Sequence, residues 1–306
     1  MSEEEHSQQE PELERPLPFL QRLPRIPFAA FSLCLVFFTY QIVGGLITYV
    51  LFKAQVNEQN VDLVRWSTMV GQLLLILLPT LLLVKLRYGE VGSFLRIKLP
   101  DSKLLILSCV AVFSLQQILQ GYMLFQDSIP LPPDVQEAIR QVKELFEEMY
   151  RILITAHSPT EFIFVVAVVA LTPAVCEEIL FRGLIQGSLE PATTGLRAAI
   201  IAGIIFGAYH LNPFSFVPLV VLGGYFGFLV YHSRNLSIAI AAHFFNNFVA
   251  CAAVFMQVKD DFVVFAPAGE PTAAQLLMNY VVFGLVFLVA TYYFVKETKP
   301  AVDIEE

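Results

Sequence analysis

Residues 160–188 read TEFIFVVAVVALTPAVCEEILFRGLIQGS, an apolar run of membrane-spanning length that carries Glu177, Glu178 and, one helical turn further on, Arg182. A helix crossing a hydrocarbon core of about 30 Å needs about 20 mostly apolar residues, and this run supplies them. Ionisable side chains are costly there, so an intramembrane Glu-Glu-x-x-x-Arg is by default a functional-site hypothesis. The runs near 28–52, 66–84, 104–125 and 272–295 contain no Asp, Glu, Lys, Arg or His. The segments between about 160 and 250 hold Glu177, Glu178, Arg182, His210 and His243. One half of the chain reads as packing, the other as chemistry.

The 306 residues are 56% hydrophobic and 15% charged, with a mean hydropathy of +0.65. That composition excludes an ordinary soluble domain and predicts an all-α, polytopic membrane helix bundle. Eight windows fit spans, at 28–52, 66–84, 104–125, 160–188, 196–211, 213–233, 235–256 and 272–295. The fifth is short and ends at His210, Leu211, Asn212 and Pro213, which predicts a helix that stops inside the membrane. Residues 1–27 read as a disordered acidic cytoplasmic tail, 28–296 as one transmembrane domain and 297–306 as a C-terminal tail. The tail lacks the basic region and short apolar core of a cleaved signal. Lys and Arg in the loops fall twelve against six in favour of both termini being cytoplasmic. The brief loops lean towards a prokaryotic plasma membrane. A net charge of −8 argues against a nucleic-acid partner.

Cys34, Cys109, Cys176 and Cys251 all lie in predicted spans without CxxC spacing, and read as small buried hydrophobes. Cys176, beside Glu177, is the one with a conceivable chemical role. In 126–158, Pro130, Pro132 and Pro133 precede Val135, Ile139, Val142, Leu145, Phe146, Met149 and Ile152 at helical spacing. That is an amphipathic helix, either lying along the interface or capping the bundle, or a solvated connector with one apolar side.

Three spacings carry the chemistry. Glu178 and Arg182 are i,i+4 and face one another, whereas Glu177 is turned by about 100°. A paired acid serves as an orienting ion pair, and an unpaired desolvated acid can accept a proton, so Glu177 is the candidate general base. Phe206 and His210 share a face one turn apart. His243 and Asn247 do likewise and present two donors towards one point, as a developing oxyanion requires. Counting helical rise from the turn near 190–195 places Glu177 at roughly 20 Å, His210 at roughly 21 Å, His243 at roughly 12 Å and Asn247 at roughly 18 Å of depth. These groups converge near mid-membrane, and Gly203, Gly207, Gly223, Gly224 and Gly227 are small enough to let the helices approach.

The ordered set Glu177-Glu178-x-x-x-Arg182, Phe206-x-x-x-His210 and His243-x-x-x-Asn247 resembles the signature of the CAAX prenyl protease and bacteriocin-processing (CPBP) membrane family, the type II CAAX endopeptidase-like group. The resemblance covers about 160–250. It implies a glutamate-dependent intramembrane protease in which Glu177 and His210 activate water while His243 and Asn247 hold the oxyanion. It also implies a membrane-bound protein or peptide substrate, with a prenylated tail one candidate, and no cofactor. Glu177, His210 and His243 would alternatively make a His₂Glu zinc site. Two non-enzymatic readings stand beside these. One is an immunity or scaffold protein that keeps the fold without turnover; the other is a proton-coupled carrier.

Overall fold

A computed structural model describes residues 19–53, 56–257 and 272–298. Among the described residues, seven helices are long and apolar enough to cross a membrane: α1 (Arg25–Phe52), α2 (Val61–Tyr88), α3 (Ser102–Asp127), α5 (Pro159–Ala192), α7 (Phe216–Ser233), α8 (Leu236–Phe255) and α9 (Ala273–Glu297). Between α3 and α5 lies α4 (Pro133–Ile154), and α6 (Gly195–Tyr209) is the expected short span. Leu46 and Leu51 on α1 and Leu285 and Leu288 on α9 are exposed, as the outer face of a bundle solvated by lipid requires. The core is shared by α5, α6, α7 and α8 with α1 to α3 around them.

Among the described residues, four π-helical turns interrupt the spans, at Phe38–Gly44 in α1, Leu73–Leu77 in α2, and Val166–Leu171 and Ile179–Gln186 in α5. Such turns are rare and concentrate at functional sites. Two have a local cause. Pro79 and Pro173 follow closely, and a proline inside a helix lacks the N–H and clashes with the preceding turn. Thr172 Oγ1 donates to Ala167 O at 2.7 Å and so satisfies a carbonyl of the widened turn.

α6 and α7 pack backbone to backbone. A Cβ on Gly203 would lie 2.4 Å from Gly224 N, and one on Gly207 would lie 2.5 Å from Val220 Cγ2. Gly224 itself has open space where its own Cβ would point; its exposed backbone is what admits Gly203. At the far end of α5, Glu190 Oε2 receives Arg96 Nη1 at 2.9 Å and Arg234 Nη1 at 3.0 Å. Gln186 Nε2 adds a bond to Glu190 Oε1 and another to Gly227 O, both 3.1 Å. This knot fixes the azimuth of α5 against α7 and the start of α8, and hence which side chains face inward.

Three expectations need correction. Residues 19–22 of the supposed tail form a helical turn, held where Arg87 donates to Leu20 O at 2.5 Å and to Leu23 O at 2.6 Å; residues 1–18 and 299–306 lie outside the described residues. Arg65, counted among loop cations, is buried inside α2, because partners await it there. It pairs with Asp62 and Glu161, both at 2.8 Å, and donates to the carbonyls of Ile152, Leu153 and Thr155. It thereby pins the end of α4 and the start of α5, beneath a cleft of about 660 Å³ whose lining includes Glu58, Glu148 and His157. Cys34 is exposed on α1 rather than buried, while Cys176 and Cys251 are buried. On α4 only Ile154 is buried, Phe146 meets Phe214 at 6.3 Å, and Lys143 reaches Asp127 at 2.5 Å.

Candidate active site

Glu177 and Glu178 occupy consecutive positions of α5 and experience different surroundings. The Glu178 side chain is fully buried and that of Glu177 is 12% exposed. The roughly 100° between neighbours on a helix produces this division. Arg182 Nη1 meets Glu178 Oε1 at 2.7 Å, the i,i+4 contact their spacing requires, and Nη2 donates to Gly223 O at 2.7 Å. Three rings enclose the guanidinium, with its carbon 4.6 Å from the Phe206 centroid, 5.4 Å from Phe226 and 5.9 Å from Phe181. A delocalised cation over aromatic faces is stabilised where water is excluded. The bare α-carbon of Gly223 allows this approach: a Cβ there would lie 3.2 Å from Arg182 Nη2.

Glu178 Oε1 is shared. His243 Nδ1 reaches it at 2.8 Å, and the imidazole lies flat against Phe226 at 5.1 Å between centroids. A carboxylate only accepts, so Nδ1 carries the proton and Nε2 is the nitrogen left for other work. That Nε2 donates only when the ring is doubly protonated.

His210, immediately after α6, faces Glu177: Nε2 and Oε2 are 3.9 Å apart. Its Nδ1 lies 2.7 Å from Phe206 O. A carbonyl cannot donate, so Nδ1 bears the hydrogen and Nε2 of the neutral ring is an acceptor. Two acceptors at 3.9 Å are too far apart for a direct hydrogen bond and are spaced for one water to donate to both. Phe206 sets the ring edge-on at 4.6 Å; one aromatic thus supports both His210 and Arg182.

Asn247 is one turn beyond His243 on α8. Its Nδ2 donates to Val169 O at 3.3 Å, in the first π turn of α5, and its Oδ1 accepts from Asn246 at 3.1 Å; the second amide hydrogen remains. Cys176 is fully buried in apolar surroundings, which suits packing rather than nucleophilic attack. Among the described residues no three His, Cys, Asp or Glu side chains are grouped as metal ligands would be. The Glu178–His243 contact and the Phe226 face were not foreseen. Linear spacing pairs His243 with Asn247, whereas its partner is on another helix.

Residues 159–249 match the family described as type II CAAX prenyl endopeptidase Rce1-like. The resemblance to that family is carried by this signature region. The chain is also similar to a protein of Bacillus subtilis (strain 168) that bears the name "Putative membrane peptidase YdiL". They share 30% identity over 95 residues, or 31% of this chain. The match spans 37% of that relative's length. No solved structure matches the chain significantly. The Rce1-like match begins with α5 and ends within α8, so it covers every residue of the three motifs and leaves α1 to α4 and α9 outside.

Proposed function

We propose that the protein is an intramembrane endopeptidase that hydrolyses a peptide bond of a membrane-bound protein or peptide, a prenylated CAAX-type tail being the first candidate. The observation that carries the reading is the 3.9 Å gap between Glu177 Oε2 and His210 Nε2, with the histidine tautomer fixed by Phe206 O. A water donating to both acceptors keeps its lone pairs for a carbonyl carbon. As its oxygen attacks, the proton passes to Glu177 and the carbonyl becomes an oxyanion. His243 Nε2–H, in the doubly protonated ring braced by Glu178, and the second Asn247 amide hydrogen are the proposed donors to that oxyanion. Collapse of the tetrahedral intermediate breaks the C–N bond, and the proton held by Glu177 moves to the leaving amine. Atoms and charge balance without a cofactor. Among the described residues Glu177, His210 and His243 are not grouped as three metal ligands would be, which favours the metal-free reading over a shared zinc. Orientation with both termini cytoplasmic, which rests on the loop charges, and a prokaryotic plasma membrane, which rests on the brief loops, complete the proposal.

The test is purified protein in detergent, wild type against Glu177→Ala, with a quenched fluorescent farnesylated CAAX peptide, with and without chelator. Cleavage that needs Glu177 and ignores the chelator is expected. Cleavage abolished by chelator and restored by zinc would replace the metal-free mechanism. Proton flux in liposomes that depends on Glu177, with no cleavage, would favour a carrier instead.

A further inference from the structure

α1 and α2, which lie outside the three motifs, bring polar side chains to the Glu177 side of the site. Tyr40 sits in the π turn of α1, and its hydroxyl accepts from Gln72 Nε2 at 3.5 Å. The ring lies along the bare backbone of Gly71, where a Cβ would come within 3.9 Å of Tyr40 Cε2. Beside it, Thr39 Oγ1 donates to Leu75 O at 3.0 Å, fastening the π turn of α1 to that of α2. Tyr209, the last residue of α6 and the neighbour of His210, is held edge-on by Phe37 at 5.6 Å and Phe181 at 5.3 Å. Gln41 Nε2 caps its carbonyl at 2.9 Å.

These groups are built into the protein yet not fully used within it. The Tyr209 hydroxyl and Gln72 Oε1 are buried with no hydrogen-bond partner among the described residues. Buried polar atoms in that state call for an explanation. Because Gln72 donates to the Tyr40 oxygen, the phenolic hydrogen of Tyr40 is left to point elsewhere. Tyr209 adjoins His210, whose Nε2 is 3.9 Å from Glu177 Oε2, and the Tyr209 ring meets Phe181, one helical turn beyond Glu177 on α5. The π turn that follows Gln72 packs against the segment of α5 that carries Glu177.

We propose that Tyr40 and Tyr209 are positioning residues for Glu177: their hydroxyls donate to its carboxylate or to the water beside it, and Gln72 fixes Tyr40. Glu177 as the base belongs to the function proposed above, and the role of the phenols rests on it.

Two readouts on the full chain in detergent test this. Tyr40→Phe and Tyr209→Phe each lower kcat about tenfold, the loss of one hydrogen bond to a charged group, with KM and melting temperature unchanged. Gln72→Leu lowers kcat as well, and adds nothing in a Tyr40→Phe background, because it acts through that hydroxyl. The second readout needs no substrate. Dicyclohexylcarbodiimide modifies protonated carboxyls in apolar surroundings, and a carboxylate that loses a donor keeps its proton more readily. Modification of Glu177, followed by mass spectrometry, therefore proceeds severalfold faster in Tyr40→Phe and Tyr209→Phe. Tyr49→Phe, on the outer face of α1, stays at the wild-type rate. Wild-type labelling rates in both inner variants would overturn the proposal, whatever the cleavage assay gives. Cleavage that survives Glu177→Ala would instead sink the base assignment, with the labelling still deciding whether the phenols touch Glu177.

Discussion

Glu178 joins two functions that a mutant cycle can separate. Its Oε1 lies 2.7 Å from Arg182 and 2.8 Å from His243, and the Glu178 and Arg182 side chains are fully buried. Removing one member of such a pair strands a buried charge and costs about 3–5 kcal/mol, whereas replacing both by apolar residues of similar volume is close to neutral. Glu178→Leu and Arg182→Met should therefore each lower the melting temperature in detergent by about 10 °C, at about 2–4 °C per kcal/mol for a chain of this size. The double variant should recover most of that loss, a coupling of several kcal/mol. Its cleavage rate should not recover. His243 would have lost its carboxylate, and loss of an oxyanion donor costs about 10²–10³ in rate. Unfolding can be followed with a thiol-reactive dye, since Cys176 and Cys251 are buried until the bundle opens and the exposed Cys34 sets the baseline. Additive destabilisation in the double variant would show that the pair is not energetically coupled. Recovery of cleavage along with stability would show that Glu178 acts only on Arg182.

The close α6–α7 crossing predicts that Gly203→Ala, whose Cβ would stand 2.4 Å from Gly224 N, destabilises by about 1–3 kcal/mol and reduces cleavage by moving His210. Gly224→Ala, with open space, is neutral in both the melting and the cleavage assays. Arg65→Met leaves carbonyls of residues 152, 153 and 155 without their donor, costing about 2 kcal/mol; the melting temperature falls while KM holds. On α4, hydrogen bonds from Arg140 and then Gln141 hold the exposed Glu137 carboxyl below the ordinary carboxylate range. A depressed folded value means that this support is present above the unfolded value and is lost as pH falls through the folded one. Protection factors in α4, with the intrinsic pH dependence of amide exchange divided out, should therefore fall on acidification and be indifferent to alkaline pH.

Helix placement was legible because an apolar run of span length has few alternatives. The eight windows correspond to α1–α3 and α5–α9, and the short fifth run stops at Tyr209, immediately before the predicted His210. The Glu178–Arg182 contact was legible because i,i+4 geometry is local. What escaped was azimuth. Counting rise sets His243 at a depth but not the direction it faces, so its bond to Glu178 across 65 positions left no mark on spacing. Tyr40 and Gln72 escaped because both are uncharged and belong to no local spacing, and it is the packing of α1 on α2 that brings them together. Arg65 escaped because a cation near a helix end looks like a loop residue until the carbonyls that surround it are known.

The brevity of α6 bears on the lipid as well as on the chemistry. At about 1.5 Å per residue, the stretch Gly195–Tyr209 is about 22 Å long, against about 30 Å of hydrocarbon. It ends on a polar turn, where Asn212 Oδ1 accepts from Phe214 N and Gln126 Nε2 donates to Phe214 O, about 8 Å short of that thickness. The surrounding leaflet must thin or admit headgroups to meet it. Turnover in reconstituted bilayers should then track acyl-chain length, fastest in short-chain phospholipids, making membrane thickness itself a control on this protein.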